Sequence, residues 1–347
     1  MENRELKKNP LSFQIDPAKF APATDEEKAQ QLTQRESVSF FKDAMRRLAH
    51  NRMAMICLTI LVLISLIAFI VPYFYPYTYT QQDVTSKHLA PFEYSRKEMA
   101  KIAKGQDVFP HIMGTDNLGR DYCIRVIYCT RISLMVGFIS AMIVVFIGII
   151  YGWLSCYFGG KVDLIMMRIV DIIYSVPDVL IVILLSVAIK DVISQSKNDL
   201  IIRLGPGMIS IFIVFGLLYW VSMARQVRGQ VLSIKEQEYV LAARASGARP
   251  SHIILKHMIP NCVSVIIITA AMQIPSAIFT ESFLSFVGMG VSMPMPSLGS
   301  LASDARSGLI SYPYLLMFPA GAIFLIVLSF NLLGNGLRDA FDPKLRS

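Results

Sequence analysis

The sequence predicts an all-α, polytopic membrane protein that crosses the bilayer with six transmembrane helices. Of its 347 residues, 54% are hydrophobic and only 17% are charged, and the mean hydropathy is +0.51. Soluble globular proteins have a charged fraction of about a quarter. The composition therefore excludes a soluble enzyme, a secreted disulfide scaffold and a disordered tail protein as the main description of the chain.

Long apolar stretches supply the predicted spans. All but one contain no Asp, Glu, Lys or Arg, and the remaining stretch contains only Asp171 and Asp178. A hydrocarbon core about 30 Å thick needs about 20 helical residues, and only helices or closed barrels satisfy the backbone there. Val144–Ile150 does not alternate as a barrel strand does. The predicted spans are Met53–Tyr79, Ile132–Phe158, Ile169–Ile189, Gly207–Ala224, Cys262–Thr280 and Tyr314–Leu337.

The residues before the first span divide into two parts. Residues 1–36 form a polar tail without a recognisable motif. Residues 37–52 place apolar side chains at roughly helical spacing opposite Lys42, Arg46 and Arg47, which predicts an amphipathic helix in the plane of the headgroups. Because the first fifty residues are polar and mixed in charge, we expect no signal peptide and a first span that stays in the mature protein.

Basic residues beside the spans predict that both termini, including the tail 338–347, are cytoplasmic. Four basic segments then fall on one side of the membrane, whereas segment 80–131 lies outside. The outer segment is itself basic, but it is long, and long segments count less in this rule. Anchoring to anionic headgroups also explains the net charge of +8 better than nucleic-acid binding. The basic residues are Lys42, Arg46, Arg47, Arg52, Lys161, Arg168, Arg225, Arg228, Lys235, Arg244, Arg249, Lys256, Arg338, Lys344 and Arg346.

The five cysteines show no zinc-site spacing. Cys57, Cys156 and Cys262 lie in or at spans. Cys123 and Cys129 are six residues apart in a segment that favours helix, so they fall on different faces at poor bridging distance. We expect two unpaired thiols there.

The connection from Arg225 to Asn261 has the strongest pattern outside the spans. Glu236–Ser246 favours a helix that ends at Gly247, and Pro250 prevents its continuation. Ser251 is predicted to cap a second short helix that ends before Pro260. The small side chains of the first helix allow another protein to approach the backbone closely, and polar side chains around them offer directional contacts. The small residues are Ala242, Ala243, Ala245, Ser246 and Gly247, and the polar ones are Glu238, Arg244 and Arg249.

This connection resembles the cytoplasmic coupling loop of the permease subunits of binding-protein-dependent ABC importers. The resemblance rests on Ala242-Ala243, Gly247 and Met258-Ile259-Pro260-Asn261, although Leu241 stands at the usual acidic position. Glu238 matches the earlier acidic position of the oligopeptide, dipeptide and nickel branch. Further runs resemble its "C"-type subunit, so that the similarity covers roughly residues 37–346. These runs are His111–Asp121, Arg131–Leu134, Phe283–Gly290, Asn331–Gly334 and Leu337–Pro343.

The resemblance implies a type I (MetI-like) permease core over 132–337 and a multi-pass protein of a bacterial inner or plasma membrane. It also implies partners: a second permease subunit that completes the pathway, two ATPase subunits that each hold one coupling helix, and an extracytoplasmic binding protein. ATP binding then moves the coupling helices, and access alternates. The docking contacts carried over are Glu238, Ala242, Ala243, Arg244 and Gly247, with Pro260 and Asn261 setting how the loop re-enters the membrane.

The chain itself has no nucleotide-binding run, since Gly159-Gly160-Lys161 lacks the spacing and the hydroxyl residue of a phosphate-binding loop. We therefore expect a non-catalytic subunit without a cofactor or metal, with ATP hydrolysis on partner chains.

The outer segment 80–131 contains a second motif within His111–Asp121. Two interpretations of this motif are open: a phosphate- or metal-binding loop, and a folded cap that shapes the entrance or receives a binding protein. Its position just before a span favours the cap. His88 and His111 are too isolated to argue for a metal. The cap motif comprises Gly114, Thr115, Asp116, Gly119, Arg120 and Asp121.

Three acidic residues lie in or at the ends of spans: Asp171, Asp178 and Glu281. Acids there are costly and are often functional. Structural pairing or headgroup contact is favoured over substrate or proton binding, because the acids lie near helix ends and Asp171 and Asp178 follow Arg168.

Two function classes remain. The first is the pathway-forming subunit of an ATP-driven importer of oligopeptides or dipeptides, or, by the same mechanism, of nickel or another small solute. The second is a secondary transporter driven by an ion gradient, with the acids in the spans as coupling sites. Inverted internal repeats favour the second class, and none is evident in the sequence.

Overall fold

The computed structural model describes residues 40–195, 198–253, 256, 258–291 and 294–341. By their contacts, residues 1–45 and 46–347 form two units, and only Phe40–Met45 of the first unit are described. Within these ranges the regular structure is helical, and the described β-pairing is an isolated bridge between Thr115 and Asp121. The expectation of an all-α chain is confirmed.

The α-helices are Phe40–His50 (α1), Arg52–Ile70 (α2), Arg96–Ile102 (α3), Tyr122–Phe158 (α4), Gly160–Ser175 (α5), Asp178–Ser194 (α6), Asp199–Leu204 (α7), Pro206–Val214 (α8), Trp220–Lys235 (α9), Glu238–Ala245 (α10), Pro250–Ile253 (α11), Ile259–Val287 (α12), Leu298–Asp304 (α13) and Tyr314–Phe341 (α14). Short 3₁₀ turns cover Val71–Tyr73, Val84–Ser86 and Ala305–Gly308, and a π-helical turn at Phe215–Tyr219 joins α8 to α9.

Membrane-crossing helices account for most of the described chain. Five are long and apolar enough to cross a bilayer, and a sixth span results if the bent pair α5 and α6 is counted as one. These helices correspond to the six predicted stretches. Their outward side chains are apolar and exposed, for example Phe146 at 66% and Leu184 at 70%. Such a surface is typical of a protein whose solvent is lipid.

The first two helices follow the predicted pattern with revised ends. In α1, Ala44 and Leu48 are buried while Lys42 and Arg46 are exposed, as expected for an amphipathic helix. The Asn51 side chain caps α2 by accepting the backbone N–H of Ala54 at 3.2 Å. The predicted span Met53–Tyr79 is too long, because α2 ends at Ile70 and Val71–Tyr73 continues as a 3₁₀ turn that contains Pro72.

The second span begins ten residues earlier than the predicted Ile132. Asp121 caps α4 by accepting the backbone N–H of Ile124 at 2.9 Å, and the helix runs for 37 residues. At 1.5 Å per residue this is about 55 Å, so α4 is much longer than the hydrocarbon core. The first turns of α4 belong to segment 80–131, which contains charged residues such as Arg125.

The third predicted span, Ile169–Ile189, is not one straight helix. Helices α5 and α6 meet at 91°. Val176 is extended, with φ −93° and ψ 139°, because a following proline disfavours the helical conformation and Pro177 has no N–H to donate to α5. Pro177 therefore turns this stretch into a sharp bend.

Small residues set the closest helix contacts. In α4, a Cβ atom added to Gly148 would lie 2.5 Å from the Cβ of Met223, and one added to Gly152 would lie 2.7 Å from the carbonyl oxygen of Ala224. Apolar side chains gain little by leaving lipid, so helices in membranes associate through such close van der Waals contact. The five cysteines are buried free thiols within the same bundle, including Cys123.

We expect Gly148→Leu to destabilise the folded protein by about 1–3 kcal/mol, because the added side chain overlaps α9. Thermal unfolding of the purified protein in detergent measures the effect as a lower midpoint. Gly321→Leu is the matched control, since Gly321 is also helical and an added Cβ there meets nothing within 4 Å. Equal midpoints for the two variants would contradict the importance of this contact.

Candidate coupling loop and cap

The first helix of the predicted coupling loop, α10, is packed against the end of α9. Val240 is fully buried and lies in one apolar cluster with Val231 and Ile234. Only Glu236 and Gln237 separate the two helices. The N–H of Gln237 donates to the carbonyl of Ile234 at 3.1 Å, and the N–H of Val240 donates to that of Gln237 at 3.0 Å. Helix α10 is therefore anchored to the end of α9.

Gly247 ends the helical segment as predicted. Its φ of +79° lies in the left-handed region, where glycine is favoured. The N–H of Ser246 donates to the carbonyl of Ala242 at 3.0 Å, and the N–H of Ala248 donates to that of Ala243 at 3.1 Å. A Cβ atom added at Gly247 would meet nothing within 4 Å. The space beside Gly247 is thus open to another molecule.

The predicted docking residues of α10 divide between two environments. Glu238 and Ala242 are exposed, as is Gly247 beyond the helix. Ala243 is half-buried and packs against the apolar cluster of Val240. The side chain of Arg244 lies outside the described part of the structure. The exposed side of the loop therefore presents small residues, the carboxylate of Glu238 and the 51% exposed side chain of Leu241.

The second short helix differs from the prediction. It begins at Pro250 rather than after a Ser251 cap, so Ser251 lies inside the first turn. Proline suits the first position of a helix, because its φ is already helical and the N–H it lacks has no partner there. The N–H of Ile253 donates to the carbonyl of Arg249 at 3.1 Å, and the Ile253 side chain is buried.

Asn261 connects the two ends of the loop. Its side-chain amide donates to the hydroxyl of Tyr239 in α10 at 3.1 Å. Pro260 is the second residue of α12, where its missing N–H is tolerated. This geometry supports the predicted role of Pro260 and Asn261, which is to position the loop where the chain re-enters the membrane. Tyr239 was absent from the prediction, since no local pattern pairs it with a residue 22 positions away.

In the cap motif, Asp116 binds two arginines. Its carboxylate accepts backbone N–H groups of Leu118 at 2.9 Å and Arg120 at 3.0 Å. It also accepts the Arg120 guanidinium at 2.7 Å and that of Arg125. Arg125 reaches Asp304 at 3.5 Å. Because carboxylates occupy both guanidinium groups, the arrangement favours the folded cap over the phosphate loop.

The glycines of the motif allow close backbone contacts. Gly114 and Gly119 have φ values of +75° and +69°. An added Cβ at Gly114 would overlap the carbonyl oxygen of Leu89, and one at Gly119 would overlap that of Asp83. Between them, Thr115 is fully buried, accepts the N–H of Leu89 at 2.9 Å and donates to the carbonyl of Ser86. The motif therefore closes residues 83–90 onto the start of α4.

Asp121 and His111 join the motif to α3. Nδ1 of His111 lies 2.8 Å from Oδ2 of Asp121, and Nε2 lies 3.1 Å from Oε1 of Glu98. Burial alone lowers the pKa of His111, but the hydrogen bond to Asp121 and the charge of Glu98 raise it above its ordinary value. The sequence prediction treated His111 as isolated, although its position in the same motif as Asp121 indicated that the two side chains could meet.

Hydroxyl groups of tyrosines attach the cap to the last span. The Tyr314 hydroxyl contacts the carbonyl oxygens of Leu89 at 2.9 Å and Thr115 at 3.1 Å. The Tyr122 hydroxyl, at the start of α4, donates to the carbonyl of Leu315. The cap thus bridges α4 and α14. Within the described residues, no group of three His, Cys, Asp or Glu side chains has the geometry of a metal site.

Matches to known families agree with this geometry. Residues 135–347 match the model of the binding-protein-dependent transport system inner membrane component. The chain belongs to this permease family. Residues 39–91 also match the N-terminal TM domain of oligopeptide transport permease C. Membership confirms the expected importer permease fold and a multi-pass protein of the inner membrane.

Individual relatives cover nearly all of this permease. It is 40% identical to the oligopeptide transport permease OppC of Bacillus subtilis, over 94% of this chain and 97% of that one. The dipeptide permease DppC of the same organism is 42% identical, over 90% and 88%. OppC of Escherichia coli is 39% identical, over 90% and 93%. Inward-facing structures of the MetNI methionine ABC transporter include a chain that is 19% identical over 60% of this permease and 92% of its own length, with a TM-score of 0.47.

The acids in the spans of this permease have different surroundings. Asp171 is paired as expected, with Arg225 at 2.8 Å and Arg168 at 4.0 Å. Glu281 contacts no headgroup, since it is fully buried between α4, α12 and α13. Its carboxylate accepts hydroxyls of Ser133 at 3.1 Å and Ser285 at 2.7 Å. The side chain of Asp178 lies outside the described residues.

We expect the cap to depend on pH through His111. A histidine whose pKa is raised in the folded state contributes stability that is complete below its unfolded value, about 6.5, and is lost as pH rises through the folded pKa. Trypsin cleavage at exposed Lys101 and Lys104 reports opening of the cap. We expect His111→Gln to be cleaved about tenfold faster than wild type at low pH, since a hydrogen bond to a charged group contributes about 1.5–3 kcal/mol.

The ratio of the two cleavage rates should fall towards one as pH rises through the folded pKa of His111. His50→Gln, on exposed α1, is the control and should match wild type throughout. A ratio independent of pH would contradict the charged state of His111.

Proposed function

We propose that this chain forms half of the translocation pathway of an ATP-driven importer for oligopeptides or dipeptides. Its membership of the binding-protein-dependent permease family supports the transport mechanism. The peptide cargo is supported by relatives named oligopeptide and dipeptide permeases, about 40% identical over at least 90% of the chain. The proposal places a second permease subunit beside this one and a substrate-binding protein at the cap.

The open surface of the coupling loop is the observation that supports this function most directly. Helix α10 has one side buried on α9 and an opposite side that exposes Glu238, Leu241 and Ala242 and is followed by Gly247. We assign this exposed side, with Glu238, Ala242 and Gly247, to a groove of an ATPase subunit. Arg244 and Ala243 complete the proposed contact, and hydrolysis takes place on the partner.

The proposed orientation places the coupling loop and both termini in the cytoplasm and the cap outside. The rule for basic flanking residues supports this arrangement. The saturated contacts of Asp116 and Asp121 also suit a rigid surface at the entrance, since neither carboxylate needs a ligand to be satisfied. A cap of this kind can receive a binding protein without folding on contact.

Two alternatives are tested with the same preparation. If nickel or another small solute is the cargo, every structural argument still applies, and only the names of the relatives favour peptides instead. An ion-gradient-driven transporter would need a titratable site in the spans. Asp171 is paired with Arg225, and the buried Glu281 carboxyl is held by the hydroxyls of Ser133 and Ser285. Uptake into proteoliposomes of labelled di- and tetrapeptides, or of nickel, with and without ATP distinguishes the three. Partner subunits encoded in neighbouring reading frames complete the complex.

We expect Gly247→Trp to lower ATPase binding and peptide uptake by at least about tenfold, which corresponds to about 1.4 kcal/mol of lost binding. An added Cβ at Gly247 meets nothing within 4 Å, but its φ of +79° strains any larger residue, so this backbone cost must be separated from a clash with the partner. Gly247→Asn is the control, because asparagine tolerates a left-handed backbone and is small. Full ATP-driven uptake by Gly247→Trp, or uptake by this chain alone, would overturn the proposed function.

A further inference from the structure

The second and fourth spans are in direct backbone contact near the coupling loop. Gly152 in α4 is so close to α9 that an added Cβ would lie 2.7 Å from the Ala224 carbonyl oxygen and 3.0 Å from the Cβ of Val227. One turn earlier, Gly148 contacts Met223 in the same way. Neither helix can slide along the other without overlap, so the contact resists relative movement.

One turn beyond this contact, an ion pair joins three helices. Arg228 in α9 donates Nε to Oδ1 of Asp163 and Nη2 to Oδ2, each at 2.6 Å. The Ser155 hydroxyl in α4 donates to the same carboxylate. The exposed fractions of the Arg228 and Asp163 side chains are 31% and 16%. A two-bond, partly desolvated pair of this kind fixes orientation as well as distance.

The turn between α4 and α5 is built to bring Asp163 back to α9. Gly159 and Gly160 have φ values of +61° and +52°, which reverse the chain within two residues. The N–H of Asp163 then donates to the carbonyl of Gly159 at 3.2 Å. Asp163 lies in the first turn of α5, where the helix dipole also favours a carboxylate.

Arg228 is close to the coupling loop along a continuous helix. It lies two turns before Lys235, the last residue of α9, and α10 begins at Glu238. Between them, Val231 and Ile234 of α9 share the apolar cluster of Val240. The pair therefore lies where a displacement of α10 enters the bundle.

We propose that Asp163 and Arg228 are positioning residues that make the second span, the fourth span and α10 move as one body when the ATPase moves the coupling loop. The inference rests on the proposed function, because it assigns a part in coupling to residues outside the docking surface. Without the pair, α9 retains its apolar contact with α4, but the end nearest α10 loses its fixed orientation. Movement of α10 is then absorbed locally, and ATP is hydrolysed without transport.

A second ion pair between the same two helices provides a matched control. Arg225 lies three residues before Arg228 and binds Asp171 of α5 at 2.8 Å. Asp171 is 52% exposed and accepts no hydrogen bond from α4 in the described structure. Both are Arg–Asp pairs, but the Asp171 pair has one hydrogen bond instead of two, is more exposed, lacks a contact like that of Ser155 and shares its carboxylate with Arg168.

The test compares peptide uptake with ATP hydrolysis by the complete transporter in proteoliposomes. We expect Asp163→Asn and Arg228→Gln each to lower the number of peptides imported per ATP by about fivefold or more, the usual scale of coupling between two sites. Arg228→Lys keeps the charge without the two-bond geometry and should give an intermediate ratio. Asp171→Asn should stay within about twofold of wild type, as expected for an exposed pair.

The charge-swapped double variant Asp163→Arg/Arg228→Asp distinguishes positioning from general stability. It should recover about half of the lost ratio, because the two residues remain coupled to each other. A ratio unchanged in Asp163→Asn, a loss equal to that of Asp171→Asn, or no recovery by the swap overturns the inference. If Asp163→Asn fails to assemble, the charge-swapped variant is used instead. Recovery of both assembly and the number of peptides imported per ATP supports the inference, and no recovery overturns it. Absence of ATP-driven uptake in the wild type would instead contradict the proposed function.

Discussion

The close contact along α4 is the constraint on which the rest of the structure depends. In lipid, helices gain little from burying apolar side chains against each other, so the bundle relies on van der Waals contact and on polar groups shared between helices. Helix α4 provides both. Gly148 and Gly152 bring α9 to backbone distance, and an added Cβ at Gly137 would overlap Ile278 of α12. Its two ends then carry the polar contacts, with Asp121 in the cap and Ser155 at the Asp163–Arg228 pair.

A second polar centre, at Glu281, orders the end of the bundle near the cap. Ser133 and Ser285 each donate to the Glu281 carboxylate and accept a backbone N–H, from Leu298 at 3.1 Å and from Val291 at 2.9 Å. A buried carboxyl in a membrane is costly unless it is hydrogen-bonded. Here its partners also satisfy the backbone N–H of Val291, beyond the end of α12, and that of Leu298, the first residue of α13. Through these serines the buried carboxyl stabilises the backbone at the start of α13 and just beyond the end of α12.

The spans followed from the sequence because charge-free stretches longer than about 18 residues have no alternative to crossing the bilayer. Helix ends were less predictable. The start of α4 depends on Asp121, which caps the helix through a local hydrogen bond. The first turns of α4 contain charged residues, so hydropathy alone places them in a loop. The angle at Pro177 depends on how α6 packs, which no local pattern contains. The pairing of Asp163 with Arg228 joins residues 65 positions apart, and each residue alone looks like an ordinary basic or acidic flank. The cap residues were identified by resemblance, yet their partners in α3 and α14 required the fold.

The two candidate surfaces differ in how completely the chain satisfies its own polar groups, and this difference explains what each surface can do. In the cap, Asp116 and Asp121 are hydrogen-bonded within the chain, and Gly114 and Gly119 allow the backbone of Leu89 and Asp83 to approach closely. Such a surface is rigid before contact and costs little ordering entropy when another protein docks. In the coupling loop, the buried side of α10 is anchored through Val240, whereas its other side ends at an open left-handed glycine. That side combines small residues with the exposed Leu241, and the proposed function assigns it to a groove on another subunit. The cap offers a rigid surface at one end of α4, and the coupling loop offers an anchored helix with an open side near the other end. This arrangement suits a subunit that is moved by a partner.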